Sequence, residues 1–572
     1  MCGIGGIVRY EPGDNLARLR RMQWSLRHRG PDDQDTWTSP HAGLVHTRLA
    51  LLDPAGGAQP LRSDRYVLVY NGEIYNAAEL RHELAPSWDF RTCCDAEVVL
   101  AAHARWGAAC PARLNGMFAY FVWDTIEEAG FAARDLLGVK PFVYAQAGDE
   151  LVFASEAKAV LAALPGRPRA RRDAVLEYLV VPCFSGVETP MFEGLHYLPP
   201  GHALRIDRSG VSIWRWGEHD LQAATDDVPP EELRTAVERA VQRTLIADAP
   251  VGVLLSGGLD STAIAAAARR PLPAWTIQFT DQDSYDYGRS RIVISDDTPF
   301  AALAARELGL AQHVVHVDRG GLAADLQRLA IQNDALPAWE QEIAQHHLAH
   351  AAALHCKAVL VGDAADETHY GYHFLLDPEA TRGPRGLIER FFPGDLWPGA
   401  IEPLAAKYQA LSEEAGHDWR TPQGRLLATT WLIVHRWLPR LLHNGDIHAM
   451  AHGLEARVPF ADLDLLALAR RIGPTRALAD GVEKAALRQA LRGVVPEAIR
   501  VRKKSALPKD QGVEALYQRE AARAVADGRL DAVIDRGRVL GLCERPLDER
   551  ERALLFRVIC LGHWTNAYGV VL

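Results

Sequence analysis

The chain has 572 residues, 48% of them apolar and 24% charged, with a formal net charge of −10. This is an ordinary soluble, globular composition, long enough for about two to four domains of roughly 100–200 residues each. It excludes a basic nucleic-acid footprint, a membrane span, for which no run of 18 or more apolar residues exists, and a secretory leader at the start. The arginine cluster 167–172 (RPRARR) is short and reads as a solvated loop. Eight cysteines (Cys2, Cys93, Cys94, Cys110, Cys183, Cys356, Cys543 and Cys560) form no CxxC pair and no scaffold spacing. Reduced thiols in a cytosol are therefore expected, and with them a cytoplasmic location.

The start, MCGIGG, places a cysteine directly after the initiator methionine. If Met1 is removed, Cys2 carries a thiol nucleophile and a free α-amine whose unperturbed pKa is about 7.7–8.0, low enough for a general base. The competing reading is a small buried residue among glycine turns. Strands are predicted at 66–76 (YVLVYNGEIYN), 116–124 (GMFAYFVWD) and 149–156 (DELVFASE), each ended by turn residues. A helix is predicted at 95–107, from an acidic residue to a glycine, and a turn at 198–202 (LPPGH).

A polar stretch at 217–230 reads as a linker, after which the pattern changes. A helix with clear periodicity is predicted at 230–245. Residues 250–270 (PVGVLLSGGLDSTAIAAAARR) read as an apolar strand, a glycine turn and an alanine-rich helix. Further strands are predicted at 274–280, 311–318 and 357–367, alternating with helices as in a parallel α/β sheet. From about 375 onward the chain reads as mostly helical. The boundary near 215–230 divides it into a first domain, 1–215, and a second, 216–572.

The turn 254–261 (LLSGGLDS) joins a strand to a helix. Gly257 and Gly258 leave backbone N–H groups open, Ser256 and Ser261 add hydroxyls, and the helix N-terminus adds partial positive charge, which together make a phosphate cradle. It is not a Walker A loop, since no GK[ST] follows. Asp260 would repel phosphate unless a cation such as Mg²⁺ accompanies it. A second turn of the same kind, 359–367 (VLVGDAADE), falls at the carboxyl end of its own strand, where α/β sheets bind ligands. Asp260 and Asp366 are thus placed to share Mg²⁺ across one crevice.

SGGLDS resembles the pyrophosphate loop of ATP pyrophosphatases. With MCGI, the whole chain resembles glutamine-hydrolysing asparagine synthetases, through RHRGPDD (27–33), HTRLALLD (46–53), GAQPL (57–61), NGEIYN (71–76), GMFA (116–119), RDLLGVKP (134–141), SEAKA (155–159), LPPGH (198–202), GLEARVPFAD (453–462) and EKAALR (483–488), in family order. The resemblance implies an N-terminal-nucleophile α-β-β-α sandwich followed by a Rossmann-like ATP-pyrophosphatase domain with a parallel sheet and a helical C-terminal part. It implies glutamine, ATP and a carboxylic acid acceptor as small-molecule partners, with Mg²⁺ as cofactor and no nucleic-acid or membrane partner; a homodimer is compatible with the chain.

The roles carried by the resemblance fall in two groups. Cys2 attacks glutamine to form a thioester, Asn71 and the Gly72 N–H form the oxyanion hole, Arg48 pairs with the substrate carboxylate, and Glu73 and Asp95 take its α-amino group. In the second domain, Leu254 and Ile277 lie on the adenine side, with Val361 and Gly362 near the nucleotide. Ser256, Gly257, Gly258 and Ser261 hold pyrophosphate, and Asp260 and Asp366 hold Mg²⁺. Lys484 neutralises the departing pyrophosphate, and Asp363, where the family often has glutamate, steers ammonia attack. An apolar ammonia tunnel between the domains is likewise implied by the family.

The chain departs from the family in three places. Cys93-Cys94 replaces small polar residues. Segment 281–297 reads as an insertion near the nucleotide. In 336–342 (LPAWEQE), Trp339 stands where an arginine suited to aspartate is expected, and Glu340 and Glu342 would repel a carboxylate. The acceptor is accordingly expected to be an acid other than aspartate, larger and more apolar or amine-bearing. Two other readings compete. One is an ATP-dependent cyclase or ligase of the β-lactam synthetase or lasso-peptide cyclase type, which uses an amine within its substrate and needs no glutaminase. The other is a non-catalytic binding protein on the same fold. The intact Cys2, Arg48, Asn71-Gly72-Glu73 and Asp95 argue against the first, and Asp260, Asp366 and Lys484 against the second.

Overall fold

The computed structural model describes residues 2–11, 13, 15–186, 189–218, 228–290, 292–393 and 399–572. Most of the expected linker, 219–227, lies outside the described residues. The first part of the chain forms twelve strands: β1 (Cys2–Val8), β2 (Asp33–Thr38), β3 (Ala42–Arg48), β4 (Leu61–Arg62), β5 (Tyr66–Ile74), β6 (Gly116–Asp124), β7 (Ala129–Arg134), β8 (Val143–Ala147), β9 (Glu150–Ala154), β10 (Leu195–Tyr197), β11 (His202–Asp207) and β12 (Gly210–Arg215). They make two six-stranded sheets, ordered β10-β8-β9-β1-β3-β2 and β12-β11-β7-β6-β5-β4.

The sheets face one another across Ile4, Leu44, Val69, Phe121, Phe142 and Phe153. The outer face of the second sheet packs on the helix Asp95–Trp106 through Leu68, Tyr70 and Val98. The outer face of the first packs on the helix Leu16–Leu26 through Leu19, Met22 and Leu26. This is the expected helix–sheet–sheet–helix sandwich. It explains why β6 reads as an unbroken apolar run: both its faces are covered, so the usual alternation is lost.

The second part builds one parallel sheet from β13 (Val251–Leu254), β14 (Pro273–Phe279), β15 (Ala311–Val317), β16 (Ala358–Leu360) and β17 (Glu455–Arg457), in the order β15-β14-β13-β16-β17. The first four are the strands expected from sequence, although the last expected span, 357–367, is a strand only at 358–360. β17 was not expected. It comes from within the helical C-terminal part and closes the edge beside β16, with Val361 N donating to Arg457 O. Helices otherwise make up most of the described residues from Pro384 to Tyr568. Among the described residues no helix is long and apolar enough to cross a membrane.

Candidate functional sites

The first site sits at the start of β1. Pairing with β3 puts Cys2 opposite Arg48. Cys2 is buried, and burial is the largest influence raising its thiol pKa, so the sulfur rests as a neutral thiol that needs a base. The Cys2 nitrogen donates to Asn71 Oδ1 at 3.1 Å. Asn71 is fully buried, and its Nδ2 has no hydrogen-bond partner, so the side chain that accepts from the Cys2 nitrogen keeps one buried amide donor unused. Buried donors are rarely left unpaired. Gly72 follows on β5, where a side chain would come within 2.3 Å of Met117 O; only glycine lets the strand pass there.

Arg48 is held beneath the 52–57 loop. Its guanidinium donates to the carbonyls of Leu52, Asp53 and Pro54 at 2.7–3.2 Å, and any side chain at Gly57 would collide with Nη2. Asp95 accepts from Tyr70 Oη at 2.6 Å and Ile74 N at 3.0 Å. Burial raises the pKa of Asp95 and, more strongly, that of Glu73. Glu73 is not a bare carboxylate: Arg457 Nη2, from β17, donates to it at 2.9 Å. Cys94 lies against this cluster, its Sγ 3.5 Å from Asp95 Oδ1, whereas Cys93 is exposed.

The second site lies at the carboxyl ends of β13 and β16. Gly257 has φ +68°, and a side chain there would come within 2.3 Å of Ala301 N, so the turn into the helix Leu259–Ala267 requires glycine. Ser256 Oγ lies 3.1 Å from Ser261 Oγ and accepts from Gly258 N at 3.3 Å, which presets the loop. The opposing turn is strained: Ala364 has φ +70°, and nearby Tyr370 and Lys484 have +56° and +55°. Left-handed backbone at non-glycine residues is costly and concentrates at functional sites.

Strain here brings opposite charges together. Lys484 Nζ stands 2.5 Å from Asp260 Oδ2 and 2.5 Å from Asp366 Oδ1. Lys504 Nζ stands 2.6 Å from Asp366 Oδ2. Burial opposes the charge on both Asp366 and Lys504, but the lysines hold Asp366 well below the usual carboxylate range and Asp366 holds Lys504 up. Burial pushes Asp363 up to about 6, with Lys504 partly opposing it. No group of three or more His, Cys, Asp or Glu side chains able to hold a metal occurs among the described residues. Asp260 Oδ2 and Asp366 Oδ1 converge on the Lys484 ammonium, and the buried Asp260 Oδ1 has no hydrogen-bond partner. Two carboxylates with phosphate oxygens are the donor set that Mg²⁺ takes in nucleotide sites, so the residues fit that cation.

Both turns open into one cavity of about 310 Å³. Of the residues expected to hold nucleotide or metal, Leu254, Ser256, Gly258, Asp260, Ser261, Ile277, Val361, Gly362 and Asp366 line it, as do Asp363 and Lys484; Gly257 does not. The segment 281–297 reaches it through Ile292 and Asp297. Lys504 and Gly371 escaped sequence reading. Gly371 carries a signal in retrospect, since any side chain there would overlap Asp366 and Lys484.

The acceptor expectation is corrected in part. Glu340 does not line the cavity and pairs with Lys509 at 2.6 Å. Glu342 does line it, but its two oxygens accept from Ala338 N, Trp339 N, Asn333 Nδ2 and Asn444 Nδ2 and bond His448 Nε2 at 2.6 Å. Neither carboxylate presents a spare charge to a ligand. Trp339 does line the cavity.

The two sites meet through buried charge. Arg29 Nε donates to Cys2 O at 3.1 Å, and its Nη2 to Asp446 Oδ2 at 2.8 Å. Asp446 follows Gly445, where a side chain would come within 3.2 Å of Asp363 Oδ2. Residues 1–217 match the glutamine amidotransferase domain family, and residues 232–564 match the asparagine synthase family. The chain is 32% identical to asparagine synthetase [glutamine-hydrolyzing] 3 of Bacillus subtilis (strain 168), across 95% of this chain and 93% of that one. It is 28% identical to asparagine synthetase B [glutamine-hydrolyzing] of Escherichia coli (strain K12), across 93% and 86%. The protein pairs a glutamine amidotransferase domain with an asparagine synthase domain built on a parallel sheet. It belongs to the asparagine synthase family.

Proposed function

We propose that the chain is an ATP- and glutamine-dependent amide-forming ligase, with residues 1–215 as glutaminase and 216–572 as synthetase. The matched spans support that division. Cys2 Sγ attacks the side-chain carbonyl carbon of glutamine, and its thiol proton passes to the Cys2 α-amine freed by loss of Met1. The negative oxygen that develops is met by Asn71 Nδ2 and the Gly72 N–H. The carbon–nitrogen bond breaks, ammonia leaves with the proton, and water hydrolyses the thioester to glutamate. Arg48 pairs with the substrate carboxylate, and Glu73 and Asp95 with its ammonium group.

In the second site, one oxygen of the acceptor carboxylate attacks the α-phosphorus of ATP. Pyrophosphate leaves against Ser256, Gly257, Gly258 and Ser261, with Lys484 and Lys504 supplying positive charge. Mg²⁺, held by Asp260 and Asp366, would add charge neutralisation on the phosphates. Ammonia then attacks the acyl carbon with Asp363 accepting a proton, and AMP leaves. The observation that carries this reading is the unpartnered, buried Asn71 Nδ2 beside Cys2: a chain using an amine within its substrate would have no need of it. Eight unpaired cysteines support a reducing compartment such as the cytoplasm. The test is AMP formation from ATP with a panel of carboxylic acids, supplied with glutamine or with ammonium. Acid-dependent AMP that needs a nitrogen donor to accumulate supports the reading, whereas AMP formed equally without any donor sinks it.

A further inference from the structure

We propose that Arg502 is a positioning residue for the phosphate loop: it fixes the Gly257–Gly258 peptide with its N–H toward the cradle, and Asp297 in turn fixes Arg502. This rests on the reading of 254–261 as a loop that holds nucleotide phosphates. Arg502 Nη1 donates to the Gly257 carbonyl at 3.1 Å. Its Nη2 donates to Asp297 Oδ1 at 2.5 Å and to Ser295 Oγ at 2.7 Å. The guanidinium carbon also lies 4.1 Å from the centre of the Phe300 ring, so the group is held from three sides. The Arg502 and Asp297 side chains are 7% and 5% exposed.

The peptide between the two glycines is trans, so its carbonyl and its N–H point in opposite directions. With the carbonyl on Arg502, the Gly258 N–H is turned to Ser256 Oγ, at 3.3 Å, beside the Ser261 hydroxyl. Gly258 accordingly lines the cavity and Gly257 does not. A peptide flanked by two glycines has no Cβ on either side to resist its rotation. Turned over, it would aim a carbonyl oxygen at phosphate in place of the N–H that an anion needs. The guanidinium holds the carbonyl on the far side.

Two segments far apart in sequence build this device. The Ala506 N–H donates to the Ile292 carbonyl at 2.9 Å, and the Ile294 N–H to Ser505 Oγ at 3.2 Å, so 292–295 and 502–506 run alongside one another. The Asp297 carbonyl accepts from Ala301 N at 2.9 Å at the start of the helix Thr298–Leu308, the same nitrogen that leaves no room for a side chain at Gly257. The Asp297 side chain makes no capping bond to that helix, which leaves its carboxylate to Arg502. Segment 281–297, which reads as an insertion, thereby acquires a task in triphosphate binding.

Calorimetric titration of the full-length protein with the magnesium complex of α,β-methylene-ATP, which cannot be cleaved to AMP, measures triphosphate binding. AMP measures the same site without its β- and γ-phosphates. Arg502→Met should weaken the analogue at least about tenfold, the scale of one lost charge-assisted hydrogen bond, and leave AMP binding unchanged. Asp297→Ala should also weaken the analogue, and the double variant should be no worse than Arg502→Met. Plain electrostatics predicts the opposite sign for Asp297→Ala, since losing an anion favours phosphate. Unchanged or tighter analogue binding in Asp297→Ala therefore overturns the proposal. So do additive losses in the double variant, and so does equal weakening of AMP and analogue in Arg502→Met, the mark of general damage to the site. Wild-type protein that binds neither nucleotide would instead refute the phosphate-loop reading itself.

Discussion

The Glu73 carboxylate and the Arg457 guanidinium meet at 2.9 Å across 384 residues of sequence. Arg457 also reaches Glu455 at 2.5 Å and the carbonyls of Thr244 and Ile246 at 2.8 and 2.5 Å, and it is fully buried. Removing it would strand two buried carboxylates. Arg457→Met should therefore cost about 3–5 kcal/mol of stability, whereas Glu73→Gln, which leaves Arg457 paired with Glu455, should cost less while raising KM for glutamine. Chemical denaturation and glutaminase kinetics read the two effects separately. A wild-type unfolding midpoint for Arg457→Met would show that the pair carries no load.

Cys2→Ala should abolish glutamate release from glutamine while leaving ammonium-dependent amide formation intact, because the thiol serves only the first chemistry. Glutamate release at the wild-type rate would end the assignment of the nucleophile.

At the second site, Asp366 is held between Lys484 and Lys504. Lys504→Met removes one of the two cations that the proposed function sets against the pyrophosphate and should slow ATP–pyrophosphate exchange by about 10²-fold, the scale of losing one charge-stabilising group. Asp260→Asn or Asp366→Asn should lower exchange by a similar factor or more. Glutamine hydrolysis should survive in all three. Normal exchange in Lys504→Met would reduce that lysine to a structural partner of Asp366.

The pH dependence separates Asp363 from Asp366, while Asp297 and Glu367, pushed by burial to about 6 and about 7 in the same cavity, are told apart from it by the Asp363 variant. Burial puts the Asp363 carboxyl at about 6, so it is ionised above that pH and protonated below it. Asp366 is held ionised far below this range. Amide formation, expressed per free ammonia, should fall as pH drops through about 6, with ATP–pyrophosphate exchange staying flat there. Asp363→Asn should be slow throughout and lose the inflection. An inflection near 6 that persists in Asp363→Asn would assign it elsewhere.

Three of the twelve sandwich strands, β5, β6 and β9, and four of the five parallel strands are legible in the sequence because apolar runs and turn residues mark them directly. β17 is not: Glu455-Ala456-Arg457 is three residues long, two of them charged, and nothing local says that both charges are buried. The phosphate-loop turn and Cys2 are legible because glycine and cysteine occur there for steric and chemical reasons. Lys504 is not, since its role depends on a partner 138 residues away by number, and a lysine in RKKS reads as solvent-exposed. The engagement of Glu340 is not legible for the same reason. A carboxylate beside a tryptophan looks like a recognition group until Lys509 is seen against it.

The late arrival of β17 bears on when the enzyme comes alive during synthesis. Glu73 is translated early and its counterion last among its contacts. At about 5–20 residues per second the ribosome needs roughly 20–80 s to cover the 384 intervening residues. Until then Glu73 has no Arg457 to pair with, and the proposed glutamine site lacks one of its buried charges. On the proposed function, a nascent chain would thereby be kept from hydrolysing glutamine before it has built the sheet that can use the ammonia.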